Sequence, residues 1–83
     1  MGGRGGAGTS DSGVKLATSQ IKEQMKYTSG ATSADKIARL TRSDYFLHGV
    51  KDAVSKDYFM RGKEITTAQL NKIVSTALKQ AAK

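Results

Sequence analysis

The chain has 83 residues, no cysteine and no proline, and its 14 Lys and Arg against seven Asp and Glu give a net charge of +7. That length makes one thin domain, and without cysteine neither a disulfide nor a thiolate metal site can staple it. No run approaches the roughly 18 apolar residues of a membrane span and no charged-then-apolar leader is present, so the expectation is a cytoplasmic protein with no membrane partner.

The first thirteen residues, MGGRGGAGTSDSG, hold six of the nine glycines. Glycine loses so much backbone entropy on ordering that residues 1–13 read as a disordered Gly-rich tail, with a single small basic helical domain over 14–83. Gly3-Arg4-Gly5-Gly6-Ala7-Gly8 fits G-x-G-x-x-G in letters, but no strand precedes it, so the dinucleotide reading fails. Gly6 stands where a myristoylation signal needs Ser or Thr. The opening Met1-Gly2-Gly3-Arg4-Gly5, with small residues leading on to Gly13, resembles the start of small proteins encoded by phages and mobile elements of Gram-positive bacteria. The resemblance covers only this low-complexity stretch; it implies a genetic context and a bacterial host cytoplasm, and no catalytic or binding residue.

From Val14, apolar residues at Ala17, Ile21 and Met25 recur at helical spacing, with Leu16 and Tyr27 facing away. Thr28 to Ser33 is a break of small and polar residues. Thr32 or Ser33 then caps a helix from Ala34, with Ile37, Leu40 and small alanines on one side and Lys36, Arg39 and Arg42 on the other. A third segment builds an apolar arc from Phe46, Leu47, Val50, Ala53 and Val54, extended by Tyr58. Asp57 falls inside that arc, where an unpaired carboxylate is costly, so the helix is expected to end near Ser55 to Asp57, with Gly62 closing the following turn. Thr66 and Gln69 form a capping box before a clean seam of Leu70, Ile73, Val74, Ala77, Leu78 and Ala81. Asn71, Lys72, Ser75, Lys79 and Lys83 lie opposite the seam. The fold class is therefore all-α, a small bundle of three or four short helices.

Asp-Tyr-Phe occurs twice, at residues 44–46 and 57–59. Thirteen helical residues turn through about 1300°, which leaves the copies about 220° apart. They cannot share one face, and the repeat reads as coincidence. If the helix does continue, Tyr45, His48, Asp52, Lys56 and Phe59 form a second stripe, fit to stack on bases or grip a partner. The competing expectation places this central helix between neighbours, packed on both sides.

His48 is the sole histidine, and the sequence supplies neither a metal-ligand set nor a nucleophile in an elbow context. No enzyme activity, metal or cofactor is expected. The excess charge is +2 over residues 14–27, +2 over 33–62 and +3 over 63–83, with residues 1–13 neutral. Such dispersed charge suits phosphate contact rather than sequence reading. The chain reads as a non-enzymatic binding protein contacting nucleic acid, a nucleic-acid-handling complex or an acidic protein surface through Lys36, Arg39, Arg42, Lys56, Arg61, Lys72 and Lys79. The alternative is a protein-interaction module that inhibits a host defence enzyme, in the manner of an anti-CRISPR, or assists virion assembly. A homo-oligomer joined through the Leu70–Ala81 seam is a third arrangement.

Overall fold

The computed structural model describes residues 11–83, which form four helices: α1 (Asp11–Met25), α2 (Ser33–Thr41), α3 (Asp44–Met60) and α4 (Thr67–Ala81). No strand occurs among the described residues. The glycine-rich reading of residues 1–10 lies outside them.

Local chemistry starts three of the helices. Thr32 is the cap of α2, its hydroxyl accepting from the Asp35 amide at 3.1 Å. Ser43 caps α3 through the Phe46 amide at 3.2 Å. The capping box of α4 is complete: Thr66 Oγ1 accepts from the Gln69 amide at 3.1 Å, while Gln69 Oε1 accepts from the Thr66 amide at 2.9 Å. Each such cap contributes about 1 kcal/mol by satisfying amides that have no partner within the helix.

The core is a single cluster. Ala17, Ile21 and Met25 of α1 meet Val50, Val54 and Tyr58 of α3 and the buried seam of α4. The broadest contact is α1 on α4, followed by α1 on α3 and then α3 on α4. Ile21, Val50, Val54 and Ile73 are the largest fully enclosed side chains, each stabilising the fold by about 1.5–3 kcal/mol through apolar burial. Because Ile73, Val74, Ala77 and Ala81 are all spent inside the monomer, the seam is not free to join two chains. Helix α2 is held more thinly, by buried Leu40 and partly buried Ile37. Its Ala34 and Ala38 face solvent, not the core as the alanine pattern suggested.

Three boundaries and placements differ from the sequence reading, each for a physical reason. Helix α1 begins at Asp11, so the expected tail is three residues too long. Gly13 is buried in the first turns of α1, where a Cβ would come within 3.0 Å of Ile73 Cδ1 and 3.3 Å of Tyr58 Cε1. The missing side chain lets α1 sit close against α3 and α4, and that contact orders a stretch whose composition argues for flexibility. Leu16, expected to face away, packs against the core from its edge. Helix α3 passes straight through Asp57 to Met60; Arg61 Nε stands 3.2 Å from Asp57 Oδ2 and offsets the charge of the half-buried carboxylate, although that oxygen accepts no hydrogen bond. Gly62, at φ 72°, then ends the helix: Lys63 N–H donates to Tyr58 O at 2.9 Å and Gly62 N–H to Phe59 O at 2.9 Å, the paired bonds of a Schellman turn.

Candidate nucleic-acid interface

The cations named from sequence fall into three groups. On α4, Lys72 and Lys79 are exposed, and their seven-residue spacing sets them within about 20° of one azimuth. Asn71 and Ser75 flank them in solvent, and Lys83 follows just past the C-cap, Ala82. No Asp or Glu occurs anywhere from residue 65 to residue 83, so nothing on this helix opposes their field. On α2, Arg39 and the C-cap residue Arg42 are exposed, while Lys36 is half-buried. None of Arg39, Arg42, Lys72 and Lys79 enters an ion pair among the described residues.

The remaining two cations have acidic partners within the chain. Lys56 lies 3.6 Å from Asp52 one turn earlier, both side chains well exposed. Such a pair is worth only about 0.3–0.5 kcal/mol and leaves the lysine available. Arg61 is different. Besides facing Asp57, its Nη1 donates to Ser12 Oγ at 3.2 Å, tying the first turn of α1 to the end of α3. Arg61 therefore ties two helices together while its side chain stays about half exposed, at 49%.

The second stripe exists, and it is open. Tyr45 is 92% exposed and Phe59 79%, with His48, Asp52 and Lys56 exposed between them. The expectation of a helix packed on both sides is overturned: α1, α2 and α4 contact α3 but leave this face uncovered. The face also includes two residues the sequence reading passed over. Met60 is as exposed as Phe59 beside it, and Gly49 sits at mid-helix, where an added Cβ would meet nothing within 4 Å. A glycine in a helical run gave a signal at Gly49, and Met60 follows from the same periodicity once the helix is known to reach it. The ends of the stripe are about 21 Å apart along the helix.

Helices α1, α3 and α4 pack pairwise round one core, so their solvent faces diverge. The cationic face of α4 and the aromatic face of α3 are two surfaces. Helix α3 carries three Asp against two Lys and is itself slightly acidic. Among the described residues no group of His, Asp and Glu is arranged to hold a metal ion, and no helix is long and apolar enough to cross a membrane. No protein-family model, curated protein or solved structure matches this chain.

Proposed function

We propose that this chain is a non-enzymatic binding protein that contacts nucleic acid through phosphates, with the outward face of α4 as the principal contact and Arg39 and Arg42 of α2 as auxiliary ones. The observation that carries the reading is the acid-free face of α4, where Lys72, Lys79 and Lys83 stand in solvent with no carboxylate on their own helix. Lysines so placed neutralise phosphates and release counterions, which drives association without requiring a base-reading pocket. A helix about 10–12 Å across with its side chains also fits the roughly 12 Å width of a duplex major groove, and exposed Asn71 and Ser75 offer hydrogen bonds to backbone or base edges. The six residues between α3 and α4 exceed the tight turn of a helix-turn-helix, so this is not a proposal of that motif.

Fluorescence anisotropy of labelled DNA and RNA across a salt series tests it. Affinity is expected to fall steeply with salt, and Lys72→Gln and Lys79→Gln should each flatten the log–log slope by about 1. Absence of any complex with either nucleic acid at low salt would overturn the reading. An acidic protein surface could engage the same lysines, and persistence of a complex from host lysate after nuclease digestion would favour that partner instead.

A further inference from the structure

The outward face of α3 is left over once the cationic face of α4 is assigned. It bears two exposed aromatic rings and an exposed methionine on a helix with more acid than base. Phosphate attraction therefore does not explain these rings, because this face offers an anionic backbone no net positive charge. Large exposed apolar side chains gathered on one helix face mark an interaction surface.

We infer that α3 pairs with α3 of a second copy of this chain, antiparallel about a two-fold axis that passes level with Val54. The charge pattern selects this occupant. Asp52 and Lys56, which pair within each chain at 3.6 Å, lie two residues to either side of that level, so the two-fold brings Asp52 of each copy level with Lys56 of the other and joins the two intrachain pairs into one alternating four-charge cluster. In the same register Gly49 of each copy stands level with Phe59 of the other. The open space over Gly49 leaves room for a ring that no part of its own chain covers. Charge does not oppose this pairing: the chain carries +7, yet the outward stripe of α3 holds one Asp and one Lys, and the α4 lysines lie on another helix. The contact is narrow. A 17-residue helix is about 25 Å long, and one helix face cannot supply the roughly 800 Å² per partner of a standard stable interface. The dimer is therefore concentration-dependent rather than permanent.

Sedimentation equilibrium over a wide concentration range tests the pairing. The wild-type chain should pass from monomer to dimer as concentration rises. Phe59→Gln, which removes the ring without changing charge, should weaken the dimer roughly tenfold or more. Asp52→Lys and Lys56→Asp should each weaken it, and the double swap should restore it, because the two-fold re-pairs both charges. Circular dichroism at a dilution where every variant is monomeric should give the same helix content throughout, which separates lost pairing from lost folding. A chain that stays monomeric at every concentration overturns the inference, whether the face is then found to take bases or another protein. So does a dimer indifferent to Phe59→Gln, or a double swap that fails to recover. Anisotropy of monomeric Phe59→Gln on nucleic acid keeps this result distinct from the α4 reading, since the lysines of α4 are untouched.

Discussion

Helix α3 presents the same three residues twice with their burial inverted. In the first Asp-Tyr-Phe, Tyr45 stands in solvent and Phe46 turns half inward; in the second, Tyr58 is buried to 8% exposure and Phe59 stands in solvent. The carboxylates invert as well, Asp44 exposed in the first turn and Asp57 half-buried beside Arg61. Identical chemistry therefore does opposite work, set only by the roughly 220° that thirteen residues turn on a helix. The aromatic ring that faces the core stabilises this chain. The one that faces out is available to something else.

The comparison is broken most sharply at its buried end. Tyr58→Ala should destabilise the fold by about 3–5 kcal/mol, because it removes a buried ring that packs beside Gly13 of α1 where α1 meets Ile73 of α4. Thermal or urea unfolding at low protein concentration measures this. The next largest effect should come from the glycine on the other side of the same contact. Gly13→Val forces carbon into a gap already at 3.0 Å from the enclosed Ile73 and should cost about 1–3 kcal/mol by overpacking. A neutral or stabilised Gly13→Val would mean that α1 does not seat against Tyr58 and Ile73 as described.

What the sequence disclosed divides along similar lines. Capping and periodicity are local, so Thr32, the Thr66–Gln69 box and the α4 seam could be read from residues three and four apart. Gly13 could not, because composition makes a glycine-rich stretch flexible and only the facing Ile73 and Tyr58 supply the reason to order it. Asp57 misled for a related cause. The cost of a carboxylate in an apolar arc was counted without the arginine one turn later, although the four-residue spacing to Arg61 was there to be seen. The Tyr45–Phe59 stripe was legible as a pattern, but its exposure was not: a helix apolar on two sides reads alike whether one neighbour layer covers it or two. Of the site, the Lys72 and Lys79 spacing was legible and Arg61's role as a clasp was not, since its Ser12 partner lies 49 residues away.

A smaller effect of opposite sign should appear at Gly49. Gly49→Ala adds a methyl group into open space on a helix and should stabilise the monomer by about 0.5–1 kcal/mol, as alanine restricts the unfolded chain more than glycine does. The two helical glycines then give opposite answers to similar additions, one packed and one vacant. The same variant should also weaken association, because the vacancy over Gly49 is where Phe59 of a second copy would settle. Gain in stability with loss of pairing is a combination that a purely structural glycine would not produce.

The smallest stability effects belong to the outward copies of the aromatic residues. Tyr45→Ala and Phe59→Ala should each leave the unfolding free energy of the dilute monomer within about 0.5 kcal/mol of wild type, since neither ring is covered by its own chain. Set beside Tyr58→Ala, that near-silence is informative. It would show that two of the five aromatic residues contribute almost nothing to holding the fold. A loss above about 1 kcal/mol at either position would place these rings back in the core and remove the ground for assigning them to an interface. Unfolding repeated at rising protein concentration sharpens the contrast: wild type should gain stability by mass action as copies pair, and Phe59→Ala should not.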